Sequence, residues 1–376
     1  MDDSLKLTFS IELECIVRYD PATYEDYLGE LNEIRATVDA KLQMLLCKHI
    51  VYGLGGHGFS ACDGMRDPSS QKWVVDKDDS IYPPPTDNGY CYVDVELKSP
   101  AYNFAPAALG QVEQVIRLLT NAFDVDIDKS CGLHVHVGNQ RKGFPLQTLK
   151  NFCMLTTIFE RQFNSLHPSG RVRRNSFVKA MTKAYEGVSP LDTALLIQSF
   201  TTHKQLVQRF TGDSVSLPDR YYACNFCPPV FKPTLGTIEF RQHKSTMDTD
   251  VICMWVKLAC GLVRTAHDMR FGDLAQLIAD VASGSNIDAI NLLSELQLGS
   301  SAKSYGRQRR YSHPQPPWAW VDPMEEETVE LGIKEKDNEF VNGEKVVKTI
   351  AKHVYQESMT CTGDGSSDDD DGNLNE

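Results

Sequence analysis

The 376-residue chain has no run approaching the ~18 uninterrupted apolar residues that a membrane-spanning helix needs. Its start, Met1-Asp2-Asp3, lacks the basic residues and apolar core of a secretion signal. These absences read as a soluble protein with no membrane anchor. Regular cysteine spacing is missing as well. The 11 cysteines are odd in number and scattered, which argues against a disulfide framework and for a reducing, cytoplasmic setting. Basic charge is scarce, with 38 Lys and Arg against 51 Asp and Glu, and this excludes a general nucleic-acid binder. Neither standard glycine-rich nucleotide fingerprint is present. Gly53-Leu-Gly55-Gly56-His57-Gly58 has some phosphate-loop character but reads better as a flexible loop. Cys224-Asn-Phe-Cys227 has no second pair to complete a zinc knuckle and is expected to be structural.

What is there suffices for a sizeable core, since 41% of the residues are hydrophobic over a length of one large domain or two ordinary ones. The net charge of −13 is uneven, because seven acidic residues and no basic one lie between Glu357 and Glu376. This 357–376 tail, rich in Gly, Ser and Asp, is expected to be disordered, serving solubility or recruiting a partner. Residues 300–327 carry Arg307, Arg309 and Arg310, then Pro314, Pro316, Pro317, Trp318 and Trp320, and read as a linker or a lid. Residues 328–356 return to a pattern that suits a last helical segment. Oligomeric state is not legible, because apolar helix faces serve cores and interfaces equally well.

Helical periodicity predicts helices over Tyr24–Ile50, Ala105–Phe123, Leu146–Leu166, Pro190–Phe210, Asp250–His267, Leu274–Ala282 and Ile287–Leu296. Four other segments alternate with a period of two. Leu7 to Val17 has apolar odd positions, so Glu12 and Glu14 share the opposite face of a strand. Val93 to Leu97 does the same with Glu96. Leu133 to Val137 puts His134 and His136 on one face, and Thr237 to His243 does so for Glu239, Arg241 and His243. With no internal repeat, the fold class is α+β, strands and helices interleaved.

Each of these four strands keeps an apolar face for packing and lines the other with groups that bind metal or phosphate. Same-face neighbours on a strand lie roughly 6.6 Å apart, a spacing at which successive carboxylates can hold adjacent cations. A plain solvent face of an antiparallel sheet is the rival explanation, but such faces are rich in Thr, Ser and Lys rather than Glu, His and Arg. His134 and His136, flanked by Gly132 and Gly138, suit metal ligands or satisfied core residues, and the glycines let a ligand approach the backbone. Arg241 beside Glu239 suits a salt bridge or a bidentate clamp on a phosphoryl group. Arg171, Arg173 and Arg174 make a cluster that is either solvated or grips an acidic substrate. Asp76, Asp78 and Asp79 form an ordinary turn or a pocket loop.

These motifs, in this order across residues 7 to 265, resemble the amidoligase family, a branch of the glutamine synthetase and glutamate-cysteine ligase superfamily. The resemblance rests on Phe9-Ser-Ile-Glu12-Leu-Glu14, Trp73-Val-Val-Asp-Lys-Asp-Asp79-Ser80-Ile, Val95-Glu96-Leu-Lys-Ser-Pro100, Gly132-Leu-His134-Val-His136-Val-Gly138, Arg220-Tyr-Tyr-Ala-Cys-Asn225 and Gly236-Thr-Ile-Glu239-Phe-Arg241-Gln-His243. It implies a glutamine synthetase-like catalytic domain over 1–299, built on a curved antiparallel sheet with helices packed on its outer face. The concave face would hold ATP and two or three divalent cations, Mg²⁺ first and Mn²⁺ as the alternative. By this likeness Glu12, Glu14, Glu96, His134 and Glu239 are metal ligands. His136 contacts ATP, Arg241 holds the γ-phosphate, and Arg220 and Asn225 line the substrate or phosphate pocket. Asp78-Asp79 stands where the family commonly has Asp-Gly, so the shape of that turn is not carried over.

The implied activity is an ATP-dependent ligation of a carboxylate to an amine through an acyl phosphate, releasing ADP and phosphate. The acid would be a small-molecule or peptide carboxylate, and the amine an amino acid, a polyamine or a lysine. Two rivals stand beside it: a zinc hydrolase using His134, His136 and a carboxylate, and an inactive binding module of the same fold.

Overall fold

The computed structural model describes residues 4–20, 22, 35–64, 71–85, 89–173, 175–211, 220–226, 236–283 and 286–304. The expected linker, C-terminal helix and acidic tail lie outside these residues beyond 304, as do Arg174, Cys227 and the first part of the helix expected from Tyr24.

All four alternating segments are strands, and they are neighbours. The strands are β1 (Thr8–Tyr19), β2 (Ala61–Asp63), β3 (Trp73–Asp76), β4 (Cys91–Lys98), β5 (Tyr102–Asn103), β6 (Asp124–Asp126), β7 (Gly132–Gly138), β8 (Cys224–Asn225) and β9 (Ile238–Lys244). They form one nine-stranded sheet of order β2-β3-β4-β1-β7-β9-β8, with β5 and β6 paired to β1. The long β1 pairs antiparallel with both β4 and β7, and β9 closes antiparallel on β7. The sheet is mixed rather than purely antiparallel, because β2 pairs parallel with β3 at one edge.

Strand parity then decides the layers. On β1 the odd residues Phe9, Ile11, Leu13, Cys15 and Val17 are at most 1% exposed and join the main core. The helices covering that face are α1 (Arg35–Gly56), α2 (Pro106–Ala122), α3 (Leu146–Ile158) and α8 (Thr249–Asp268). Helix α8 starts at Asp248, whose carboxylate accepts from the backbone N–H groups of Asp250 (3.0 Å) and Val251 (3.2 Å). Its stripe of Ile252, Trp255, Val256, Ala259 and Val263 is buried. Helix α3 is buried from Thr148 to Thr157 and works as a central helix. Among the described residues no helix is long and apolar enough to cross a membrane.

The remaining helices are α4 (Glu160–Asn164), α5 (Ser169–Arg173), α6 (Pro190–Ser199), α7 (His203–Thr211), α9 (Phe271–Ala282) and α10 (Ala289–Glu295), with a 3-10 turn at Met181–Tyr185. Three sequence expectations are corrected here. The helix expected over Leu146–Leu166 breaks at Phe159, where ψ is 21°. The one expected over Pro190–Phe210 is two helices, because Thr202 and Gln205 form a reciprocal cap. The Gln205 N–H donates to Thr202 Oγ1 (3.2 Å) and Thr202 N–H to Gln205 Oε1 (3.1 Å). The glycine-rich segment at 53–56 is the end of α1, not a loop, and only Gly58 beyond it takes a positive φ, of 84°.

Candidate metal centre

Because paired residues in neighbouring strands point to the same side, the sheet register sorts the polar side chains into rows. Asp76, Glu96 and Glu14 lie abreast on β3, β4 and β1. The next row is Lys98, Glu12 and His134 on β4, β1 and β7. The third is Ser10, His136, Glu239 and Asn225 on β1, β7, β9 and β8. Three rows of acids and imidazoles on one sheet face make the site.

Distances confirm the convergence. His136 Nε2 lies 3.2 Å from Glu12 Oε1 and 4.0 Å from Glu239 Oε1, while His136 Nδ1 meets the Thr237 hydroxyl at 3.1 Å. His134 is buried, its Nδ1 at 3.5 Å from Glu12 Oε2 and its Nε2 at 3.5 Å from Glu14 Oε1. The Gly132 N–H donates to Glu14 Oε2 at 2.6 Å. Asn225 donates its side-chain N–H to Glu239 Oε2 at 3.0 Å, and Arg241 pairs with Glu239 Oε1. Arg241 Nε is fixed by the Phe177 carbonyl at 3.1 Å.

Three groups place donor atoms within 4.8 Å of one another: Glu12, Glu96 and His134; Glu12, His136 and Glu239; and Glu14, Asp78 and Glu96. Each takes one histidine or none, so the two imidazoles do not converge on a common centre as the zinc-hydrolase reading requires. The donors are mostly carboxylate oxygens, which suit hard cations.

The electrostatics differ from one carboxyl to the next. Burial raises Glu12, but His136 and His134 beside it more than offset this and hold it well below the usual range. Glu239 behaves alike, with His136 and Arg241 lowering what burial raises. Glu14 is raised by burial despite His134 and Arg171. Glu96 is pushed up to about 8 by burial and by the Glu12 charge, although Lys98 Nζ lies 2.5 Å away. Buried like charges with too few counter-charges are what a divalent cation relieves.

The structure brings Glu12, Glu14, Glu96, His134, His136, Glu239, Arg241 and Asn225 onto one surface. Arg220 stands at its rim, exposed, with its guanidinium carbon 5.4 Å from the Tyr221 ring centroid. His243 departs from expectation. The β7–β9 register shifts between Leu133 and Val135, placing Arg241 and Gln242 opposite the single residue His134. This bulge sets His243 opposite the core residue Leu133, and its ring packs 5.4 Å from Trp255. Burial pushes that imidazole down to about 4.

Three residues join the site that strand parity does not single out. Asp78 comes from the loop after β3, and its carboxylate accepts from the Ser80 N–H (2.7 Å) while belonging to the Glu14 and Glu96 group. Lys98 sits two residues after Glu96, a position whose parity is legible in the strand. Arg171, on α5, is buried, with Nη2 at 3.3 Å from His134 Nε2 and 3.2 Å from the Arg241 carbonyl. The flanking glycines serve protein groups, since a Cβ at Gly132 would meet Arg171 Nη2 at 2.0 Å and one at Gly138 would meet Thr8 Oγ1 at 2.7 Å. Cys224 is buried against Gln242, with Sγ 3.7 Å from Oε1.

Residues 6–263 match the family model described as "Putative amidoligase enzyme". No curated protein matches the chain. The matched span contains every strand of the sheet and every carboxylate and imidazole of the three rows. The chain therefore belongs to the amidoligase family of enzymes.

Proposed function

We propose that the chain is an ATP-dependent carboxylate-amine ligase of glutamine synthetase-like fold, working through an acyl phosphate. The observation that carries this reading is the set of three cross-strand rows, which assembles five acidic side chains, two imidazoles and Arg241 on one sheet face. A hydrolase has use for one such row. Phosphoryl transfer needs several cations and a fixed guanidinium around one charge-rich group.

The residues fit divalent cations. His134 Nδ1 is buried without a hydrogen-bond partner among the described residues and faces carboxylates on both sides. Glu12, His136 and Glu239 would hold one ion, and Glu14, Asp78 and Glu96 a second. Oxygen-rich donors favour Mg²⁺, and an imidazole in the set also suits Mn²⁺. Bound there, the ions supply neutralisation of phosphate oxygens.

A carboxylate is a poor acyl donor because its leaving group would be oxide. In the proposed first step a carboxylate oxygen of the acid attacks the γ-phosphorus of ATP, the bond to the bridging oxygen breaks, and ADP leaves. Arg241 neutralises the transferring group. Its plane is held in advance by Glu239 and the Phe177 carbonyl, so little ordering entropy is lost as charge develops. In the second step the amine attacks the acyl carbon, the carbon–oxygen bond to phosphate breaks, and the amine proton passes to solvent.

Hydroxylamine tests this without knowledge of the natural amine. With ATP, Mg²⁺ and a panel of acids that includes glutamate and peptides, a ligase forms hydroxamate and releases ADP in equal amounts. Hydrolysis of an amide or peptide without ATP, in a protein carrying stoichiometric zinc, would sink the reading.

A further inference from the structure

Tyr221 stands at the edge of the site with three cations around its ring. The guanidinium carbon of Arg220 lies 5.4 Å from the ring centroid, that of Arg241 5.9 Å, and the Lys179 ammonium 6.0 Å. Three positive groups thus lie within 6.0 Å of one point, each inside cation–π reach of the same ring.

The backbone builds this arrangement. The Lys179 N–H donates to the Tyr221 carbonyl (2.6 Å), the Ala223 N–H to the Lys179 carbonyl (2.8 Å), and the Arg241 N–H to the Ala223 carbonyl (2.9 Å). Phe177 packs its ring edge-on against Tyr221, with centroids 5.4 Å apart, while its carbonyl accepts from Arg241 Nε. Residues 177–179, 220–223 and β9 are laced into one layer, and the like charges are held close by that lacing. Glu239 answers Arg241. The Arg220 guanidinium is held above its ordinary pKa by the Tyr221 hydroxyl and, more distantly, by Glu239 and Asp78, so it faces carboxylates of both cation groups.

One carboxylate is satisfied by a single arginine fork, whereas a polyphosphate spreads its charge over successive groups and needs several cations along it. We propose that Lys179 and Arg220, arranged with Arg241 around Tyr221, clamp the polyphosphate chain of a nucleoside triphosphate. The inference rests on the ligase reading and extends it from one arginine to three cations on a single ring. Lys179 is then a positioning residue for the nucleotide.

The test is calorimetric titration of the full chain, in Mg²⁺, with tripolyphosphate, ATP, AMP and citrate, comparing wild type with Lys179→Gln, Lys179→Arg and Arg220→Gln. Tripolyphosphate is expected to bind wild type, and both Gln variants to weaken tripolyphosphate and ATP by about tenfold or more while leaving AMP little changed. Lys179→Arg is expected to retain most of the affinity, which a merely structural role for Lys179 would not explain. Normal thermal melts in the variants exclude misfolding. ATP and tripolyphosphate binding that is unchanged in both Gln variants overturns the clamp and leaves the ligase reading intact. Citrate binding in place of tripolyphosphate, lost in the same variants, overturns it in favour of a site for the acid substrate. Wild type that binds neither ATP nor tripolyphosphate takes down the clamp and the ligase reading together.

Discussion

Glu14 and Glu96 are direct cross-strand partners in the β1–β4 pair, so two carboxyls stand side by side in a buried layer. Like charges facing each other across a sheet destabilise it unless something neutralises them. Burial, then the Glu12 charge, lifts the Glu96 carboxyl to about 8. A carboxyl raised in the folded state gives stability that is fully present below its unfolded value and is lost as pH rises through the folded one. The metal-free chain is therefore expected to melt at progressively lower temperature between about pH 6 and 9. Mg²⁺ displaces the same proton, so its affinity is expected to rise across that window. Glu96→Gln should flatten both curves. A melting temperature that holds level or climbs over this range in the metal-free wild type would contradict the assignment.

Arg241 is held on two sides, by Glu239 and by the Phe177 carbonyl. A lysine keeps the charge but cannot reproduce the planar fork. Arg241→Lys is expected to lower turnover by about 10² to 10³, the usual effect of removing one such stabilising contact, with a smaller loss of ATP affinity. Hydroxamate formation under saturating ATP reads the difference, and unchanged turnover would remove Arg241 from the chemistry.

Gly132 and Arg171 are coupled through space, since a methyl group on the glycine would meet the guanidinium at 2.0 Å. Gly132→Ala is expected to cost about 1 to 3 kcal/mol of stability by overpacking. Adding Arg171→Ala removes the obstruction, so the second change should cost less in the Gly132→Ala background than in wild type. Urea denaturation of the four chains measures that coupling. Strict additivity would mean that Arg171 is not what makes the glycine necessary.

How much of this was legible depends on which physical rule places each residue. Glu12, Glu14, Glu96, His134, His136, Glu239 and Arg241 follow from alternation alone, because a strand with one buried face leaves its other parity no choice. That the four strands are neighbours follows from no local pattern. His243 was misassigned because a β-bulge at Arg241 and Gln242 resets the parity, and nothing in the hydrophobic pattern marks it. Asp78 and Arg171 come from a loop and a five-residue helix, where no period exists to orient a side chain. The break between α6 and α7 had a readable cause in Thr202 and Gln205, a capping pair that helical periodicity across Pro190–Phe210 masks.

The most direct test of the central claim is calorimetric titration of ATP into the metal-stripped chain, with and without Mg²⁺, against a Glu12→Gln/Glu14→Gln variant. The account predicts ATP binding that requires Mg²⁺ and is lost in the variant. Absence of ATP binding under every metal condition, with zinc held stoichiometrically by the protein as isolated, would contradict it.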